Sequence, residues 1–350
     1  MKISQLGERR LVLRIRDTAG SGGPGVTVGI GDDCAVLSLS AGTRLLATTD
    51  LLLEDIHFRR SYAHPADIGW KALAVNLSDI AAMGGNPRFA LVALGCPLST
   101  EVEEIDAFYE GIRDAAAPHG VVIVGGDTSS SPDGWMVNMT LLGELTGPPR
   151  LRSDARVGDV IAVTGTLGES ATGLALLEAT GRIPDATKRF PLHTLDRAIL
   201  DRVRHAHLRP VARVAEGRWL GASPAVHAMI DLSDGMATDL GHIVRESRVG
   251  ARVYLDRLPI SEAVKRVATA LGRDPTKLAV AGGEDYELLL TVDPAAIHDL
   301  AAGLQTATGT PLTAVGEIVK TPVVVQFVDT RGAAVPMGEG FEHFSQPESR

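Results

Sequence analysis

Residues 29–58, GIGDDCAVLSLSAGTRLLATTDLLLEDIHF, constrain the chain more than any other stretch. Two acidic motifs, Gly31-Asp32-Asp33 and Thr48-Thr49-Asp50, border apolar runs. Residues 35–39 and 44–47 read as strands, and 51–53 extend the second one past its turn. Paired as a hairpin, they would carry Asp33 and Asp50 to one end of a sheet. Carboxylates held close raise each other's pKa unless a cation lies between them. A divalent-metal site is one reading; a tight turn followed by a solvated strand end is the other. Recurrence of the pattern elsewhere favours the first.

It does recur. A buried run at 121–124 enters Gly125-Gly126-Asp127-Thr128, and 228–230 enter Asp231-Leu232-Ser233-Asp234-Gly235 ahead of an amphipathic helix at 236–247. One carboxylate at a helix start is an ordinary N-cap, but two with a serine exceed what a cap needs. Residues 67–85 read as a helix closed by Gly84-Gly85, with Asp79 on or beside its packed face. An ionised carboxylate there needs a cation or a partner such as Lys71 or a backbone N–H. The Gly125-Gly126 pair is echoed at Gly282-Gly283-Glu284-Asp285, before a strand expected over 286–292. Gly165-Thr166-Leu167-Gly168 opens a helix whose N-terminus could hold an anion, or is a plain β-α turn. No glycine turn is followed by GK[ST], so none is a P-loop. Asp33, Asp50, Asp79, Asp127, Asp231 and Asp234 make an oxygen-only set without His or Cys spacing, which selects Mg²⁺ over Zn²⁺.

The 350 residues suffice for two domains, with a linker read at 143–150 and domains at 1–147 and 148–350. Aromatic residues make up only 4% and the net charge is −9, which argues against nucleic-acid or anionic-membrane partners. The same charge would repel a phosphate ligand unless metal ions intervene. Cys34 and Cys96 lack metal or disulfide spacing and are expected to be buried, reduced thiols of a cytoplasmic protein. The first residues, MKISQLGERRLVLRIRD, lack the apolar core of a signal peptide. No apolar run approaches the ~20 residues of a membrane span.

The motifs GIGDDCAV (29–36), TTDLLLEDIHF (48–58), KALAVNLSDIAAMG (71–84), GGDT (125–128), VTGTLGESATGL (163–174), HLRP (207–210), IDLSDG (230–235) and GGEDYEL (282–288), with the late GFEHF, cover nearly the whole chain. Together they resemble the thiamine-monophosphate kinases, of the superfamily that includes aminoimidazole ribonucleotide synthetase and selenophosphate synthetase. The resemblance implies an α/β (α+β) two-domain aminoimidazole ribonucleotide synthetase-like fold. Its N-terminal ATP/magnesium-binding domain would pair its sheet with a second subunit's in a homodimer, with active sites between the domains near that interface. ATP would pass its γ-phosphoryl group to thiamine monophosphate, with several Mg²⁺ ions as cofactors. By motif, Asp33, Thr48, Thr49, Asp50, Asp79, Asp127, Asp231 and Asp234 would form the magnesium shell. Tyr109, Gly126, Asp127, Arg152 and Ser233 would meet the nucleotide. His57, Glu284 and Phe341 would meet thiamine monophosphate. The acceptor is already an anion, so no general acid or base is assigned.

Cys34 stands where alanine commonly follows GDD, and Arg9-Arg10 where an apolar residue often follows the glutamate. A sibling ligase or selenophosphate synthetase, a non-catalytic nucleotide-binding scaffold and a metal-dependent phosphatase are the rival readings. The reactive cysteine of selenophosphate synthetases has no counterpart near this N-terminus, and the chain ends FSQPESR without the cysteine tail of the hydrogenase-maturation relatives.

Overall fold

The computed structural model describes residues 1–19, 22–30, 34–181, 191–338 and 340; Asp33 and Phe341 lie outside the described residues, as does the side chain of Arg9. Contacts divide the chain into two units, Met1–Pro149 with Leu208–Val214, and Arg150–His207 with Ala215–Arg350.

The first unit opens with helices α1 (Ile3–Leu6) and α2 (Glu8–Ala19), then a small antiparallel ribbon of β1 (Val26–Val28) and β2 (Val36–Leu37). Its main sheet has the order β3-β6-β4-β5, built from β3 (Arg44–Leu53), β4 (Asn86–Cys96), β5 (Val122–Ser130) and β6 (Met136–Leu145). Strands β4 and β5 are parallel, and the other two pairings are antiparallel. Helices α3 (Pro65–Ala82) and α4 (Val102–Ala116) complete the unit, with α3 packed on β3, β4 and β6 and α4 packed on α3. Pro65 begins α3 where no intrahelical N–H is needed, and His64 Nδ1 accepts the Ala66 N–H at 3.3 Å. The helix is apolar nearly all round because it is covered on several sides. A Cβ on Gly69 would stand 1.9 Å from the Phe108 carbonyl oxygen, and one on Gly111 1.8 Å from that of Ala66. The two helix backbones therefore touch, and glycine is what allows it.

Several expectations are corrected. The hairpin between 35–39 and 44–47 does not form: β2 pairs with β1, and β3 runs unbroken along β6 from Arg44↔Leu145 to Leu53↔Met136. Ten paired positions rich in Leu and Thr outweigh a short local turn. Asp50 therefore lies inside a strand. Gly125-Gly126-Asp127-Thr128 likewise belongs to β5, paired with β4, instead of forming a turn. Cys34 is exposed; only Cys96 is buried.

The second unit holds a sheet ordered β12-β9-β11-β7-β10-β8, antiparallel except for the β12/β9 pair. In chain order its elements are β7 (Val160–Thr164), α5 (Glu169–Gly181), α6 (Arg197–Leu208), α7 (Val214–Gly221), β8 (Val226–Asp231), α8 (Met236–Ser247), β9 (Gly250–Tyr254), α9 (Glu262–Ala270), α10 (Pro275–Ala281), β10 (Leu288–Val292), α11 (Ile297–Thr308), β11 (Leu312–Val319) and β12 (Val325–Val328). Strands β7, β8 and β10 are mostly apolar and buried almost throughout, as strands covered on both faces are. Ile161, Val163, Leu240, Ile243, Val253, Leu289 and Val315 belong to the core they share with α8. Helix α7 begins only at Val214. Pro210 biases Arg209 away from helical angles; Arg209 Nε bonds Asp67 at 2.5 Å, and the Pro210 carbonyl accepts the Trp70 indole N–H at 2.7 Å. Helix α10 was not anticipated, although Asp274-Pro275 is a start signal and Asp274 caps the Thr276 N–H at 2.8 Å. Among the described residues no helix is long and apolar enough to cross a membrane.

Candidate functional site

Side chains of residues paired across a sheet point to the same face. In the first unit this rule sorts the predicted ligands into two sets. Thr48 and Asp50 pair with Leu141 and Met139, both fully buried, on the face covered by α3. There the Thr48 hydroxyl donates to the Asp79 carboxylate from the last turn of α3. Asp79 thus meets Thr48, while Lys71 donates to the His57 carbonyl at 3.3 Å. Thr49 pairs with Thr140, which pairs with Leu91, which pairs with Gly125; Asp127, two residues on, shares their open face. Thr49 donates to the Met139 carbonyl at 3.1 Å, and the Asn138 amide bridges Thr49 Oγ1 and the Asp50 carbonyl at 3.1 Å each. His57 accepts the Leu53 N–H at Nδ1, 3.0 Å away, closing the turn after β3.

In the second unit two loops are locked together. Residues 231–235 leave β8 and 282–287 lead into β10. Leu232 N–H donates to the Glu287 carbonyl at 2.8 Å, Tyr286 N–H to Leu232 at 2.9 Å and Glu284 N–H to Ser233 at 2.8 Å. Glu284 and Tyr286 hold φ of 67° and 50°, left-handed values that are uncommon for residues other than glycine. A Cβ on Gly283 would meet the Ser233 carbonyl oxygen at 2.5 Å, so the second loop passes Ser233 only because this residue is glycine. Asp231 is buried, and Ser233 and Asp234 are half-buried. Gly340 N–H donates to Thr238 Oγ1 at 3.2 Å, which brings the chain just before Phe341 onto the start of α8.

Three acids that sequence reasoning did not single out hold these loops: Asp239 and Glu287, which are buried, and Asp285, which is half-buried. Asp239, in the first turn of α8, turns back so that Oδ2 accepts the N–H groups of Ser233, Asp234 and Gly235 at 3.1, 3.1 and 3.0 Å. Burial first, then the charges of Asp231 and Asp234, push its pKa up to about 8. Asp285 accepts the N–H groups of Gly168 and Ser170 at 2.6 and 3.2 Å, and burial pushes it up to about 8 as well. Glu287 accepts the Thr164 hydroxyl at 2.7 Å. The acid in the first turn after Asp231-Leu232-Ser233-Asp234-Gly235 was the available signal for Asp239. Asp285 and Glu287 were hidden inside Gly282–Leu288.

Residues 31–145 match the family profile described as AIR synthase related protein, N-terminal domain, and residues 156–329 its C-terminal domain. The thiamine-monophosphate kinase of Rhodopirellula baltica is 38% identical over 327 residues, 91% of this chain and 92% of that protein. The chain belongs to the thiamine-monophosphate kinase family. The crystal structure of the family's Stenotrophomonas maltophilia K279a member superposes with a TM-score of 0.78 at 36% identity, covering 93% of this chain and 96% of that one. AaThiL complexed with AMPPCP and TMP gives 0.73 at 31% identity, over 98% and 99% of the two chains.

The remaining residues that the family motifs suggest are placed as follows. Tyr109 is 3% exposed on α4, its ring edge-on to Phe108 at 5.3 Å, and burial raises its pKa. Gly126 is glycine because a Cβ would fall 1.9 Å from the Val92 carbonyl oxygen of the neighbouring strand, a strand-packing need that exists without any nucleotide. Arg152 is exposed; burial first, and then the charge of Arg152, lower the pKa of His242, while Asp234 raises it. Among the described residues no three His, Cys, Asp or Glu side chains converge to hold a metal ion. The donors present are nonetheless all oxygen, which fits a hard cation held by one or two carboxylates and completed by phosphate oxygens.

Proposed function

We propose that this chain is a thiamine-monophosphate kinase that transfers the γ-phosphoryl group of ATP to the phosphate of thiamine monophosphate, releasing ADP and thiamine diphosphate. A phosphate oxygen of the acceptor forms the new P–O bond as the bond between the γ-phosphorus and the β,γ-bridging oxygen breaks. The observation that carries the reading is the match, over almost all of both chains, to AaThiL complexed with AMPPCP and TMP. The locked loops at 231–235 and 282–287 supply rigid positions for Asp231, Ser233, Asp234 and Glu284, as a reaction dominated by placement and charge requires.

The nucleotide set is Tyr109, Gly126, Asp127, Arg152 and Ser233, and the thiamine set His57, Glu284 and Phe341. Mg²⁺ would be held by members of the set Asp33, Thr48, Thr49, Asp50, Asp79, Asp127, Asp231 and Asp234. When bound, it neutralises phosphate charge, which a chain of net charge −9 otherwise repels. The enzyme works in the cytoplasm as a homodimer, with the two domains 1–147 and 148–350. Support for the dimer is the sheet face opposite α3, where Leu45, Leu51 and Met136 are 53%, 46% and 46% exposed.

The test is coupled ADP release with thiamine monophosphate, against thiamine, aminoimidazole precursors and selenide. ADP release that is indifferent to thiamine monophosphate rejects the reading. Asp50→Asn should remove most turnover while leaving the circular dichroism unchanged; full turnover in that variant would reject its place among the metal ligands.

A further inference from the structure

The reading of Glu284 as a substrate contact leaves open what holds its carboxylate. Its backbone is fixed by the Ser233 hydrogen bond and by a φ of 67°. A glutamate side chain still has three rotatable bonds, and its carboxylate is one-quarter exposed. Beneath it lies His207, 3% exposed, near the end of α6. His207 Nδ1 stands 3.2 Å from Glu284 Oε2 and 3.1 Å from Ser170 Oγ. Ser170 is itself 1% exposed, and its N–H is bound by Asp285, the residue after Glu284.

With Glu284 ionised, these contacts assign a hydrogen to His207 Nδ1. An ionised carboxylate only accepts hydrogen bonds, so Nδ1 must carry hydrogen whether the ring is neutral or charged. The backbone and Cβ of His207 are held by close packing of α5 on α6, where a Cβ on Gly173 would lie 1.9 Å from the Val203 carbonyl oxygen and 3.0 Å from His207 Cβ, and at 3% exposure the ring has little room. The Ser170 hydroxyl, on the first turn of α5, lies 3.1 Å from the same nitrogen and shares its N–H.

We propose that His207, braced by Ser170, is a positioning residue for thiamine monophosphate: it holds one oxygen of Glu284 and so sets the direction in which that carboxylate meets the substrate. The proposal rests on the reading of Glu284 as a thiamine contact. His207 itself need touch neither substrate nor nucleotide. Its loss should therefore weaken thiamine monophosphate and spare ATP.

The experiment measures KM for each substrate, at saturating levels of the other, in the full-length enzyme. Glu284→Gln comes first. If it leaves KM for thiamine monophosphate unchanged, Glu284 is not a substrate contact and the proposal falls with that premise. If KM rises, His207→Ala should raise KM for thiamine monophosphate about tenfold, the size expected for losing one hydrogen bond to a charged group, with KM for ATP moving less than twofold. His207→Asn, whose amide N–H reproduces the Nδ1 donor, should recover most of the loss. Ser170→Ala should give a smaller effect of the same kind, and serves in place of His207→Ala if that variant does not fold. His207→Ala added to Glu284→Gln should have little further effect on KM. A rise in both KM values, no rescue by asparagine, or additive effects in the double variant would each overturn the positioning role while leaving Glu284 as a contact.

Discussion

Asp239 offers the sharpest test of how the second acidic loop is built. Its folded pKa of about 8 lies far above the 3.8 of an unperturbed aspartate. A raised value means the folded state keeps a proton that the unfolded chain releases. The group's contribution to stability is therefore fully present below pH 3.8 and is lost as pH rises through about 8. At 1.36 kcal/mol per pH unit, the loss accumulated from 3.8 to pH 7 comes to roughly 4 kcal/mol. Water entry and small loop shifts relax part of this, so about 2 kcal/mol is the expected effect. Asp239→Asn keeps an oxygen for the N–H groups of Ser233, Asp234 and Gly235 and removes the ionisation. Asp239→Ala removes the oxygen too and leaves the buried Gly235 N–H, with two part-buried ones, without their acceptor.

In EDTA, the asparagine variant should be more stable than the native chain by about 2 kcal/mol at pH 7–8, with the gap closing towards pH 4. It should exceed the alanine variant by about 3 kcal/mol at every pH, the cost of the lost acceptor. Urea unfolding at pH 4.5, 6, 7.5 and 9 measures both. Asp285, also near 8, adds a slope of the same sign, so the asparagine variant should be flatter than the native chain, not level. Millimolar Mg²⁺ should flatten the native profile, because a cation beside Asp231 and Asp234 removes the repulsion that helps raise Asp239. A native profile parallel to that of Asp239→Asn, or equal stability of the asparagine and alanine variants, would refute the account.

Three further outcomes follow from the geometry. Thr48→Val removes the hydroxyl that holds Asp79 and should cut turnover about tenfold while costing less than ~1 kcal/mol of stability, measured by ADP release and urea unfolding. Gly126→Ala places a Cβ 1.9 Å from the Val92 carbonyl oxygen and should cost about 3 kcal/mol even without nucleotide; an alanine variant that is fully stable but weak for ATP would make Gly126 a nucleotide contact and not a packing one. Leu45→Lys with Leu51→Glu should convert a dimer to a monomer in sedimentation equilibrium, since both side chains stand on the open sheet face; a dimer of unchanged affinity would place the interface elsewhere.

The motifs proposed to carry the chemistry stood out in sequence because they are short and local. Asp231-Leu232-Ser233-Asp234-Gly235 lies at the end of β8 with its helix over Met236–Ser247, as the pattern suggests. The pairing of strands was not legible. Alternation says that Thr48 and Asp50 share a face and that Thr49 takes the other, but it does not say which partner covers which. That depends on β6, which comes some ninety residues later and won over the nearer 35–39. The same non-local term turned Gly125-Gly126-Asp127 from an expected turn into an edge strand. Asp239, Asp285 and Glu287 escaped notice because an acceptor for backbone N–H groups has no spacing rule: its partners are defined by a loop's shape.

That blind spot bears on how acidic motifs are read in general. Asp231 and Asp234 look like two ligands in a row, and Asp239 looks like a third, yet its Oδ2 is turned to three backbone N–H groups. A carboxylate used in this way shapes the loop that presents its neighbours, and its ionisation is opposed by the very charges it positions. The arrangement is consistent only if the neighbours are neutralised during the reaction, since otherwise three acids at one helix start raise the energy of the folded state. An acidic loop that is self-opposing when empty is thus itself an argument for a cation. The argument has a measurable sign: binding of Mg²⁺ should release protons at pH 7, where Asp239, with its pKa of about 8, is still largely protonated, and isothermal calorimetry in buffers of different ionisation enthalpy would detect them. Asp239→Asn should abolish that part of the release. If proton release persists undiminished in the variant, the coupling of Asp239 to a cation beside Asp231 and Asp234 is not there.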